Sequence, residues 1–85
     1  MSNNGDDQVD LYYASTDNLR ATISGFEPFW MIVPAPHTRC GDVDKAKSTV
    51  TILKRLDSKF DKTIFKAVRI RDSVEMFNEF KMPLP

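Results

Sequence analysis

The chain has one cysteine, one histidine and three glycines among its 85 residues, and each scarcity removes a class of protein. A lone cysteine forbids an intrachain disulfide, so the core alone has to hold the fold, and a reducing, cytoplasmic (intracellular) setting is expected. A closed zinc site wants four ligands, and His37 and Cys40 supply two, with Asp42 and Asp44 as poor extras. Only a site shared across a dimer would complete the set. As a nucleophile and base, His37 and Cys40 are three apart on a loop, but no third group orients the histidine and no oxyanion-hole motif is legible. Three glycines leave little for a phosphate-cradling loop, and there is no internal repeat or catalytic signature. The expectation is a protein that is not an enzyme and has no cofactor, no catalytic residue and no metal.

Long hydrophobic runs are also missing. None approaches a bilayer span, and residues 1–8, MSNNGDDQ, have neither the basic start nor the apolar middle of a leader. No membrane partner is expected. With 41% hydrophobic residues the chain has enough apolar material for one modest core, and too little for a deep cofactor cavity. Residues 1–8 read as a polar, acidic, disordered tail, residues 9–81 as a single α+β domain and residues 82–85 as a C-terminal tail.

Within the domain, Val9 to Ala14 is β-prone and Ser15 to Asn18 is a cluster of turn formers. Leu19, Ala21 and Ile23 alternate with polar residues like a half-buried strand, with a short helix capped at Ser15 or Thr16 as the alternative. Phe29 to Val33 is a continuous apolar run between Pro28 and Pro34, the pattern of a strand covered on both faces, with Trp30 in the core. Pro34 to Lys45 has no period, and so long a connection in a small domain is either functional or disordered.

The chain is organised around Ala46 to Arg71. Thr49, Val50, Thr51 and Ile52 are consecutive β-branched residues, which favour a strand over a helix. Ile64 to Ile70 is a second such run, and together they predict an antiparallel hairpin of Ala46–Leu56 with Thr63–Arg71. Pairing Val50 with Ile70, Ile52 with Val68 and Leu56 with Ile64 puts the even-numbered apolar residues on one buried face. The same register opposes Lys54 and Lys66, an unfavourable pair by ~0.2–1 kcal/mol unless the two snorkel apart or grip an anion. A helix competes for residues 42–59: Val43, Ala46, Val50, Leu53 and Phe60 form a stripe at helical spacing, with Asp42 as a cap. Asp72 and Glu75 start a predicted C-terminal helix over Asp72–Phe80 that lays Val74, Phe77 and Phe80 on the sheet. The expected fold class is therefore a small α+β domain: an antiparallel sheet with a short C-terminal helix packed on one face.

Charge supplies the functional signal. Residues 1–44 carry seven acidic against two basic residues, a balance of minus five. Residues 45–71 carry nine basic against two acidic, plus seven, and the remainder has three against one, minus two. A net charge of zero thus hides a bipolar chain. On the hairpin reading, Lys54, Arg55, Lys66, Arg69, Arg71 and Phe65 are the partner-binding residues of a non-catalytic protein-interaction module, an inhibitor or adaptor, that docks an acidic protein surface. The alternative is a single- or double-stranded nucleic-acid-binding protein using the same strip, with Phe65 or Trp30 stacking on bases. Net neutrality counts against that. In a third reading the charges pair internally with the acidic half and the protein is a structural subunit; a homo-oligomer is compatible with all three.

Overall fold

The computed structural model describes residues 7–15, 28–56 and 63–80. Among them are strands β1 (Val9–Ser15), β2 (Met31–Ile32), β3 (Arg39–Cys40), β4 (Thr63–Arg69) and β5 (Glu75–Asn78), and one helix, α1 (Val43–Leu56). All the pairings are antiparallel. The sheet runs β2-β1-β4-β5, and β3 shares with β2 the side of β1 that faces away from β4.

The predicted hairpin is overturned: Ala46–Leu56 lies within α1, and β4 pairs with β1 and β5 instead. The stripe at helical spacing prevails because it has a sheet to cover. Ala46, Val50 and Leu53 are buried against Val9, Leu11, Phe65 and Ala67 in one core. Of the β-branched residues that argue for a strand, Val50 enters this core and the two threonines satisfy their hydroxyls within the helix. Thr49 Oγ1 donates to the Lys45 carbonyl at 2.8 Å and Thr51 Oγ1 to the Lys47 carbonyl at 3.1 Å, so neither hydroxyl pulls the backbone out of the helix. Asp42 caps α1, accepting the Lys45 N–H at 2.8 Å.

The predicted buried face is also reversed. Thr63, Phe65 and Ala67, the odd residues of β4, are buried towards α1, while Ile64, Lys66 and Val68 are half-buried on the opposite face. Ile52 and Leu56 are exposed on the helix, Leu56 by 80%. The slip follows from the partner: β4 is registered by β1, with Leu11 opposite Ala67 and Tyr13 opposite Phe65, and no strand made of residues 46–56 exists to set it.

The predicted C-terminal helix is a strand, and α1, the helix among the described residues, stands in the middle of the chain. Asp72 does not cap a helix; its carboxylate accepts from the Arg69 guanidinium at 3.0 and 2.8 Å and from the Val74 N–H at 3.3 Å. These bonds, with Ser73 at φ 59° and its N–H on the Arg69 carbonyl at 2.8 Å, turn the chain back along β4. A true hairpin therefore joins β4 to β5, and the β4–β5 ladder slips at Ala67/Val68, so that Val68 faces Glu75.

A further expectation changes. The apolar run Phe29 to Val33 is not covered on both faces: Phe29 is 71% exposed, and Met31 and Ile32 are about half-exposed in a two-residue edge strand. Val33 alone of this run enters the core, its N–H on the Leu11 carbonyl at 3.0 Å. Trp30 is half-buried on the sheet face away from α1, with Nε1 buried and without a hydrogen-bond partner. The long connection after Pro34 is ordered: His37 N–H closes a turn on the Pro34 carbonyl, Thr38 Oγ1 donates to the Val33 carbonyl, and β3 returns to β1. The predicted strand over Leu19–Ile23 lies outside the described residues. No helix among the described residues is long and apolar enough to cross a membrane.

Candidate functional site: the groove between α1 and β5

Of the seven described cations in residues 45–71 the structure pairs four with described acids, none of them in the acidic first half. Lys54 Nζ lies 3.1 Å from Glu79 Oε1, Lys66 Nζ 3.3 Å from Glu75 Oε2, and Arg69 and Arg71 reach Asp72 Oδ2 at 2.8 and 3.8 Å. All three acids belong to the segment after residue 71, which folds back along β4 and carries its carboxylates to the cations. Within the first half, Arg39 pairs with Asp10 at 3.1 Å. The Arg69–Asp72 pair is a charge-assisted fork, and its hydrogen bonds hold the Asp72 carboxyl below the usual carboxylate range.

The residues expected to form one binding strip are dispersed. Lys54 and Arg55 stand on the last turn of α1. Lys66 lies on the other face of the sheet, its ammonium 4.9 Å from the Trp30 ring centroid and 5.6 Å from that of Tyr12. Both distances suit cation–π attraction, so the aromatic rings and Glu75 account for this lysine. Arg69 and Arg71 stand at the β4–β5 turn around Asp72. Phe65 is 0% exposed, the largest fully buried side chain among the described residues, and lies in the core. Lys54 and Lys66, expected to face each other across a ladder, are on opposite sides of the sheet.

Among the described residues, the exposed cations without an acidic partner belong to α1. Lys45, Lys47 and Arg55 are exposed and make no ion pair among the described residues. Lys47, Thr51 and Lys54 follow one another at helical spacing along the edge of α1 that faces β5, and the helix buries its apolar side at Val50 just beside them. Between this edge and β5 lies an open groove of about 280 Å³, lined by Lys47, Val50, Thr51, Lys54, Phe77 and Glu79. Val50 and Phe77 make an apolar floor. Glu79 is already engaged: its carboxylate accepts from Lys54 at 3.1 Å and from the Phe65 N–H at 2.9 Å. The charge left without a partner in the groove is therefore that of Lys47.

A groove of this size is at the small end for a ligand cleft of about 300 Å³ or more, room for side chains of a docking segment. Sequence reasoning found Lys54 and missed Lys47, Val50, Thr51, Phe77 and Glu79. The signal was available in the spacing of Lys47, Thr51 and Lys54, which has meaning only once the segment is helical.

His37 is exposed; Cys40 is buried, its thiol 3.9 Å from the His37 carbonyl and 3.8 Å from Thr49 Oγ1. Burial pushes the thiol pKa up, away from the thiolate a nucleophile needs. No group of three or more metal-ligating side chains occurs among the described residues. Comparison with protein-family models, curated proteins and solved structures finds no match for this chain. The functional reading accordingly rests on the groove.

Proposed function

We propose that the protein is a non-catalytic interaction module that docks an acidic segment of a protein partner in the groove between α1 and β5. The observation that carries this reading is the unpaired Lys47 at the rim of a groove floored by Val50 and Phe77. A cation beside an apolar floor favours a partner that brings a carboxylate and an aliphatic or aromatic side chain together, the charge selecting and the apolar contact holding. Arg55, further along the same helix, extends the positive field that steers such a partner. A nucleic-acid strip is less well supported, since Arg69, Arg71, Lys66 and Lys54 each have an acidic partner and Phe65 cannot stack on a base. The free thiol Cys40 suits a reducing, intracellular compartment.

The test is selection from a random-peptide display library on the immobilised protein, in parallel with Lys47→Glu. Enrichment of peptides that combine acidic and apolar residues, lost on Lys47→Glu, is expected. The reading fails if enriched peptides lack acidic residues or bind the variant equally well. Micromolar binding of oligonucleotides near physiological salt, lost in the same variant, would replace the protein partner with a nucleic acid.

A further inference from the structure

We propose that two copies of the chain meet edge to edge at β2, in a two-fold dimer that does not involve the groove. Phe29, Met31 and Ile32 are exposed, and so are Pro34, Ala35 and Pro36, so most of the run from Pro28 to Pro36 presents apolar surface to solvent. β2 is first in the order β2-β1-β4-β5, and among the described residues no strand pairs with its outer side. The exposed side chains lie on both faces of the sheet. Met31 stands opposite Tyr13, which packs on the core beside α1, while Ile32 stands opposite Tyr12 on the face that carries Lys66. A partner resting on one face would cover half of this surface; one that comes alongside the edge covers both halves. Ile32 is 50% exposed and its backbone is turned outward: Val33 N–H donates to the Leu11 carbonyl at 3.0 Å, and the alternation of an antiparallel ladder then directs the N–H and C=O of Ile32 away from β1.

The charge pattern selects a second copy as the partner. A two-fold axis sets each residue near it against the same residue of the other copy, so a charge placed there repels itself. Residues 28–36 carry none, in a chain with twelve basic and twelve acidic residues. Edge strands ordinarily bear a charge that keeps other edges away, and β2 lacks it. A charged partner finds nothing to pair with here, whereas β2 of a second copy brings the same apolar side chains on both faces of its own edge. Pro28 and Pro34 bound the run and cannot donate to a ladder, which confines the contact to a few residues around Ile32. The exposed side chains offer on the order of 400 Å² per copy, below the ~800 Å² per partner of a standard interface, so the dimer is weak, with a dissociation constant on the order of 100 μM. β5 lies at the other end of the sheet, and the seam leaves the groove of each copy open.

Sedimentation equilibrium of the full chain from about 10 μM to about 1 mM, a range that brackets the expected dissociation constant, tests this. Wild type is expected to pass from monomer to dimer and no further. Phe29→Lys and Ile32→Lys, both at exposed positions, should keep the wild-type circular dichroism spectrum and stay monomeric, because the two-fold sets each new ammonium near its own copy. Lys47→Glu, in the groove, should dimerise like wild type. A second measurement reads the geometry: in a Cys40→Ser background, Ile32→Cys is oxidised with oxidised glutathione beside Ile52→Cys, an equally exposed position on α1. Residues opposed across an antiparallel seam are close enough for a disulfide, so Ile32→Cys should form the covalent dimer about tenfold faster or more. A wild type that is monomeric at about 1 mM overturns the proposal and leaves the edge to an apolar partner of another kind. Dimers that survive both lysine variants, assembly beyond the dimer, or Ile32→Cys linking no faster than Ile52→Cys overturn it equally.

Discussion

The two outer edges of the sheet show how differently one small domain treats exposed backbone. At one end β2 presents Met31 and Ile32, about half-exposed, next to the more exposed Phe29, with no charged side chain between Pro28 and Pro36. At the other end β5 borders the groove beside α1, is irregular in its pairing with β4, and is flanked by Lys47, Lys54, Glu75 and Glu79. The first edge is apolar and offers nothing to choose a partner by charge. The second combines an apolar floor with an unpaired cation, and so has the elements of selective recognition. The lesson is that apolar exposure alone does not mark the better candidate site; a defined arrangement of charge over an apolar floor does.

The largest effect that sharpens this contrast is expected between the edges. Phe65 sits in β4, in the core that supports both, and Phe65→Ala is expected to cost about 3–5 kcal/mol, enough to abolish cooperative unfolding in a domain of this size. Phe29→Ala, at the exposed apolar edge, should stay within about 0.5 kcal/mol of wild type in a urea titration. A comparable loss at both positions would show that β2 is held more firmly than its exposure implies.

A smaller effect is expected from the helix that walls the β5 edge. Asp42→Ala removes the cap on the Lys45 N–H and should cost about 1 kcal/mol, with Asp42→Asn close to wild type. Chemical denaturation followed by circular dichroism checks both. Equal losses in the two variants would mean that charge near the helix start, not the capping bond, is what matters.

The smallest effect concerns the turn that delivers β5 to its place. The Asp72 carboxyl is lowered chiefly by its hydrogen bond from Arg69. A carboxyl with a depressed folded-state pKa stabilises the fold above its unfolded pKa, and that contribution is lost as pH falls through the folded value. The melting temperature of wild type should therefore exceed that of Asp72→Asn slightly at neutral pH, and the gap should close on acidification through and below the ordinary carboxylate range. A gap that stays constant with pH would assign the advantage to turn geometry and not to the ion pair. The group is exposed, so the difference is expected to be small.

Part of this was open to reading from the residues alone. The β-prone Val9 to Ala14 became β1, and Thr63 to Arg69 became β4, because alternating or β-branched runs bounded by polar residues have few other uses. The unpaired thiol and the bipolar charge were likewise plain. Residues 43–56 were ambiguous in a physical sense. Four β-branched residues weigh against a helix by a few tenths of a kcal/mol each, and an apolar stripe at Ala46, Val50 and Leu53 weighs for it only when there is a face to bury it on.

Tertiary structure decided that ambiguity by supplying the sheet, and the same decision set the rest. With α1 on the odd face of β4, Phe65 became core, Lys66 went to the Trp30 side and Lys47 came to stand over β5. Glu75–Asn78 shows the limit most clearly. Its spacing of Val74, Phe77 and Phe80 reads as a helix, yet the chain leaves Arg69 through a tight turn and finds β4's unpaired backbone within reach. A ladder of hydrogen bonds between residues brought together by that turn outweighs a local preference worth less than the bonds it would forgo. Composition and pattern determined a small core with segregated charge; which charges meet, and which one is left over in the groove, depended on contacts between segments distant in sequence.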